Sequence, residues 1–299
     1  MADVSTVLTA AIVAIASLML ATWAVSLVRR DVSIVDVAWP LGFVLATWAS
    51  RWVVGAGGAG NWTLLAMVTI WGLRLSFHLL RRNLAQGEDF RYRAMRQRHG
   101  DAFAVRSLLT VFALQGVLLF IVALPVTLGH RDTSAGLSTW VVLGVLVWGA
   151  GLWWEAVADA QLAAFRRDPR NAGQVLDTGL WQYTRHPNYF GDALVWWGLA
   201  IAGASQGAGV WAFVAATVMT ILLVRVSGAT MLDRLLAERK PGYREYMQRT
   251  SGFIPLPPRR GGRTRTVRRP AARVPGAPSD PARTEQRRRP APQRPQRRE

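Results

Sequence analysis

Apolar residues fall along this chain in seven long blocks, at roughly 5–28, 33–54, 62–80, 107–129, 137–157, 189–204 and 208–226, separated by polar stretches rich in arginine. A helix of about 20 apolar residues crosses the hydrocarbon core of a bilayer, so each block is read as a membrane-spanning helix. The second block carries Asp36 and Pro40 inside it, and the sixth is short. The first starts acidic and is followed by its basic pair, Arg29-Arg30, the reverse of a signal peptide; it is read as a retained span. The expected fold is all-α, a polytopic membrane bundle of about seven transmembrane helices over residues 1–258.

From Arg259 to Glu299 the pattern stops. That stretch is Arg, Pro, Ala and Gly with almost no large apolar side chain, so it is expected to form a disordered basic tail. It holds 14 arginines against 3 acids, which accounts for +11 of the chain's net charge of +18. The overall basicity therefore gives no ground for a specific nucleic-acid partner. Anionic membrane lipid is the expected partner of the tail.

Arginine also sets the expected orientation. Arg29-Arg30, the 81–106 loop, the 158–188 loop and the tail fall on one side of a seven-span bundle, whereas the opposite loops hold only Arg51 and Arg131. The positive-inside rule puts the N-terminus outside and the C-terminus in the cytoplasm, in a bacterial inner membrane. The chain has no cysteine and only four scattered histidines, so disulfides, thiolate metal sites and a zinc site are not expected.

Chemistry is expected where polar side chains interrupt or border the apolar blocks. Asp36 lies about a turn inside the second span and is either functional or an interfacial carboxylate. Arg74, His78, Arg81 and Arg82 follow at helical spacing and form one basic face; the outer two suit lipid headgroups, and Arg74 and His78 suit a polar cavity. The loop 87–100 mixes arginines with aromatics and is read as a surface helix on anionic lipid. Glu155, Asp159 and Arg166 share a face where the fifth span leaves the membrane. The stretch Thr184-Arg185-His186-Pro187-Asn188-Tyr189-Phe190-Gly191-Asp192 then opens the sixth. Pro187 suits a first helical turn, whose outward N–H groups, with Arg185 and Asn188, suit a phosphate or other anion. Residues 230–249 read as a helix pair broken at Pro241-Gly242, with Tyr243, Tyr246, Glu238 and Glu245 either closing a site or forming a solvated face.

Taken together, Glu155, Asp159, Arg166, Gly179-Leu180-Trp181, the Arg185–Asp192 motif, Arg225 and the closing Tyr243, Tyr246 and Phe253-Ile254-Pro255 resemble the steroid 5-alpha-reductase family. The likeness is greatest to its bacterial branch, named domain of unknown function 1295, and extends to about Pro258. It implies a seven-helix membrane bundle around NADPH, with cofactor contacts from Glu155, Asp159, Arg166, Arg185, His186, Asn188, Tyr189 and Arg225. The steroid enzymes use a tyrosine near the end of the third span and a glutamate in the second. The corresponding neighbourhoods here are Phe77-His78-Leu79 and Asp36, so Asp36 and His78 are the catalytic candidates. The implied activity is reduction of an activated C=C bond in a lipophilic enone or enoyl substrate. The same motif is similar to that of isoprenylcysteine carboxyl methyltransferases, which bind S-adenosylmethionine, although the single Glu238 replaces their usual glutamate pair. A membrane protein without enzymatic activity, whose tail binds lipid or recruits partners, is the third reading.

Overall fold

A computed structural model of the chain describes residues 3–55, 57–132, 136–226 and 229–259. The expected disordered tail lies outside the described residues except for Arg259. Asp3 accepts from the Thr6 N–H and starts α1, Val4–Arg29. α2 is Ile34–Val54, with Pro40 inside it, and α3 is Ala59–Gln86. α4, Phe90–His99, leads through a short turn into α5, Phe103–Ser107, a π-helical turn at Leu108–Ala113, α6, Leu114–Val122, and α7, Leu124–Leu128. The long α8, Thr139–Arg167, is followed by α9, Pro187–Gly203, a second π-helical turn at Ala204–Ala208 and α10, Trp211–Ile221. After a third such turn at Leu222–Val226, α11, Ala229–Arg239, and α12, Tyr243–Arg249, close the fold. Among the described residues there is no strand, only one bridge between Thr184 and Ser251.

Six helical stretches among the described residues are long and apolar enough to cross a membrane: Val4–Arg29, Ile34–Val54, Ala59–Leu84, Phe90–Val122, Thr139–Arg167 and Trp211–Arg239. Two features go beyond the expected pattern. The helical stretch that carries the fourth apolar block starts at Phe90, because the polar helix α4 runs into it, while the apolar run itself follows Arg106. The expected sixth span is α9, whose 17 residues fall short of the others in length. Its interior position compensates, since most of its side chains are buried.

Glycine makes that position possible. Gly144 and Gly151 of α8 face Gly198 and Gly191 of α9, and the two backbones approach so closely that a Cβ on Gly191 would lie 2.4 Å from the Glu155 nitrogen. Small residues allow this approach, and van der Waals packing then stabilises the pair where lipid offers no hydrophobic drive. The bundle core beside α9 is aromatic: Phe43, Trp71 and Trp196 are fully buried, with ring centroids 4.5 to 5.7 Å apart. Large apolar side chains elsewhere, among them Val13, Leu20 and Val28 of α1, face outward, as lipid contact requires.

Candidate functional site

Close packing of α8 on α9 brings polar side chains from three helices to one place. Glu155 and Asp159 are one turn apart on α8 and are 2% and 6% exposed. Arg74 of α3 spans them, bonding Glu155 Oε1 at 2.5 Å and Asp159 Oδ2 at 3.2 Å. His78, one turn further along α3, brings Nε2 to 3.7 Å from the same Asp159 oxygen. Asn188, in the first turn of α9, donates from Nδ2 to Asp159 Oδ1 at 3.2 Å. The expected trio of Glu155, Asp159 and Asn188 is thus one cluster, and Arg74 is its centre. Asp192, one turn beyond Asn188, is buried beside it.

This cluster is not saturated. Arg74 Nε and Glu155 Oε2 are buried without a hydrogen-bond partner, and Asp192 has the Trp71 indole N–H as its nearest donor. Folded proteins rarely leave such groups unpaired, and groups of this kind mark positions where water or a ligand binds. An open donor beside an open acceptor matches a carboxamide, whose oxygen would accept from Arg74 and whose nitrogen would donate to Glu155.

Toward the expected cytoplasmic end the surroundings turn basic. Half-buried Arg82 lies within electrostatic reach of Asp36, His78, Asp159, Arg166 and Tyr189. Lys240, at the end of α11, donates to the Gln174 carbonyl at 2.8 Å. Burial and the nearby Arg166 charge hold its ammonium below the usual lysine range. Cations converging in this way suit a polyanion. Arg225, in the third π-helical turn, is exposed and belongs to neither this cluster nor the next.

The Arg185-His186 pair is turned elsewhere, toward a residue that the sequence did not single out. Asp233 of α11 receives Arg185 Nη2 at 2.8 Å and the Tyr243 hydroxyl at 2.6 Å, and it meets His186 Nε2 at 2.9 Å. Arg185 also donates to the carbonyls of Met247 and Thr250, and Tyr246 donates to the Trp181 carbonyl at 2.5 Å. Tyr243 and Tyr246 are therefore buried struts, while Glu238 and Glu245 are exposed. Burial, and for Tyr243 the bond to Asp233, push both phenols above the usual tyrosine range. Tyr189 stacks on the His186 ring, with centroids 5.5 Å apart and planes 6° from parallel. The motif thus has two faces: Asn188 and Asp192 turn to the Arg74 cluster, and Arg185 and His186 clamp the C-terminal helices.

Asp36 forms a third group with a residue not assigned a role from sequence. The Tyr92 hydroxyl of α4 donates to Asp36 Oδ1 at 3.0 Å, and Gln115 of α6 donates to the Tyr92 oxygen at 3.2 Å. Arg91 approaches Asp36 at 3.5 Å. Asp36 and His78 therefore sit in different hydrogen-bonded groups. The available signal was the Arg91-Tyr92-Arg93 run within an arginine-rich surface helix, which lipid contact explained as well.

A family model described as a protein of unknown function (DUF1295) matches residues 22–250. An uncharacterized protein of Schizosaccharomyces pombe is 22% identical over 263 residues, covering 78% of this chain and 75% of its own. No solved structure matches the chain.

Proposed function

The chain belongs to the DUF1295 family, and we propose that it is a membrane-embedded, NADPH-dependent reductase of an activated C=C bond in a lipophilic enone or enoyl substrate. The observation that carries this reading is the unsaturated Arg74–Glu155–Asp159–Asn188 cluster, with Arg82, Arg166 and Lys240 on its basic side. Its unpaired donor and acceptor fit a nicotinamide carboxamide, and the cations fit the phosphates of the same molecule. NADPH, when bound, supplies a hydride.

The chain's own residues do the rest. Arg74, Glu155, Asp159 and Asn188 hold the amide end, with His78 on the cofactor side of the site. Arg82 and Arg166 balance phosphate charge, and Tyr189 offers a phenol at their edge. Arg185 and His186 act on the cofactor only by fixing the α9 opening turn, and Arg225 is exposed. Tyr92 is the group suited to polarise a carbonyl: its one hydroxyl proton, held on Asp36 at rest, would turn from that carboxylate to the substrate oxygen, while the Gln115 N–H and Arg91 stabilise negative charge growing on the phenol oxygen. Apolar helices around the site exclude water, as hydride chemistry demands.

The test is titration of the purified full-length protein with NADPH and with S-adenosylmethionine, followed by NADPH oxidation with a panel of lipophilic enones. Tight S-adenosylmethionine binding with none of NADPH would replace this reading by the methyltransferase one. Removal of residues 259–299 leaves NADPH binding intact if the tail serves only lipid or partners.

A further inference from the structure

At the other end of the bundle, α2, α3, the loop after α7 and the π-helical turn after α9 enclose a second buried polar group. Asn61, in the first turn of α3, accepts from the Gly58 N–H at 3.1 Å and donates to the Gly129 carbonyl at 3.1 Å and to Gln206 Oε1 at 3.4 Å. The Gln206 side chain donates to the Gly136 carbonyl at 3.3 Å, and its backbone carbonyl accepts from the Asp132 N–H at 3.3 Å. Gly60 leaves room for this amide, because a Cβ there would lie 2.4 Å from it. Both amides are satisfied, and they tie the three segments together.

Two neighbouring groups are not satisfied. Arg51, at 7% exposure, donates from Nη1 to the Gly55 carbonyl and lies over the Trp62 ring at 4.7 Å, while its Nε has no partner. His130 is fully buried in the loop that carries Gly129, and neither ring nitrogen has a partner. The guanidinium points at the start of α3: a Cβ on Gly57, next to the N-cap Gly58, would lie 3.1 Å from Arg51 Cζ. Burial and the Arg51 charge hold the His130 imidazole down to about 3, so it stays neutral and offers one N–H.

A buried arginine charge needs a counter-charge, and a buried imidazole needs a partner. The N-terminus of the 28-residue α3 adds positive potential at the same place. One ligand class answers all three. We infer that Arg51, His130 and the first turn of α3 hold one small inorganic anion, of chloride size, sealed inside the end of the bundle away from the reductase site. Both side chains are almost fully buried, which favours a monatomic anion over a phosphate ester or a lipid headgroup. Asp132, in the same loop, is the competing source of counter-charge.

The experiment measures the melting temperature of the full-length protein in detergent while chloride replaces gluconate at constant ionic strength. A saturable rise is expected for the wild type, reproduced by bromide. In Arg51→Gln the half-saturating chloride concentration should rise about tenfold or more, the loss of one charged hydrogen bond. His130→Gln should shift it in the same direction. Chloride NMR line-broadening on the wild type, relieved by competing bromide, gives the same answer if the variants fail to fold. A wild-type melting temperature indifferent to the exchange overturns the inference and leaves Asp132 as the counter-charge. An undiminished chloride response in Arg51→Gln also overturns it, by moving the anion to the basic face at the other end.

Discussion

His186 and Asp233 meet at 2.9 Å, and the same carboxylate takes Arg185 and Tyr243 at 2.8 and 2.6 Å. One acid of α11 thereby holds the C-terminal helices against the turn that opens α9. Asp233→Asn keeps the shape but strips the charge from Arg185, whose side chain is 13% exposed. Breaking a buried pair from one side costs about 3–5 kcal/mol. The variant should melt at a lower temperature and lose its C-terminal segment faster to limited proteolysis. An unchanged protease pattern would mean that other contacts hold α11 and α12.

Tyr243 gives the same clamp a pH dependence. Burial and the bond to Asp233 raise its ionisation above the ordinary value, and burial does so for Tyr246. Both phenols are favoured neutral in the folded chain, so the unfolded chain ionises first as pH rises. Their stabilisation is complete below about pH 10 and is withdrawn above it. The wild-type melting temperature should fall steeply in that alkaline range. Tyr243→Phe should start lower at neutral pH, by about 1.5–3 kcal/mol for a lost bond to a charged group, and fall less steeply. Parallel curves would refute the assignment.

Arg74 carries two buried acids at once. Arg74→Leu leaves Glu155 and Asp159 without their cation and should destabilise the bundle by about 3–5 kcal/mol. Under the reductase reading it also abolishes NADPH binding. The double change Arg74→Leu with Glu155→Leu removes the cation and one of its two acids, leaving Asp159 with His78 and Asn188, and should recover part of the stability without recovering NADPH binding. Paired thermal melts and cofactor titrations separate the two effects, and recovery of both would remove Arg74 from the cofactor site.

Much of this was legible in the sequence, for a physical reason. Apolar runs of bilayer length can only be helices, so the bundle followed from hydropathy, and helical spacing put Glu155 with Asp159 and Arg74 with His78. Pro187 marked the α9 start to within a residue. Partnerships across helices were harder. Asp233 was invisible, because its partners Arg185 and His186 lie nearly fifty residues away and only folding joins them. Tyr92 was hidden among the arginines of α4. The shortness of α9 was visible, but the glycine contacts that bury it need both helices in place.

Tyr92 and Asp36 offer the sharpest test of the proposed chemistry. Tyr92→Phe removes the hydroxyl and leaves the ring, so it should cost about 1.5–3 kcal/mol of stability for the lost bond to Asp36 while NADPH affinity stays near wild type. Loss of a positioned acid should lower kcat about a hundredfold to ten-thousandfold. Asp36→Asn, which disturbs only the orientation of the phenol, should lower kcat less. Stopped-flow reduction of an enone at saturating NADPH would measure both, and full activity in Tyr92→Phe would send the search for the acid back to His78.

Gly191 links the packing to the site. Its Cα faces α8 so closely that a methyl would lie 2.4 Å from the Glu155 nitrogen and 2.7 Å from the Gly151 oxygen. Both are helix backbone atoms, so no side chain can move aside and the helices themselves must separate. Separation lengthens the 3.2 Å bond between Asn188 and Asp159, one turn away, and loosens the hold of Arg74 on Glu155. Overpacking of this kind costs about 1–3 kcal/mol. Gly191→Ala should therefore lower the melting temperature and weaken NADPH binding together. Gly149→Ala on the same helix pair has open space and should do neither. If Gly191→Ala lost stability but kept cofactor affinity, the Asn188–Asp159 bond would be a strut between helices and not part of the binding surface.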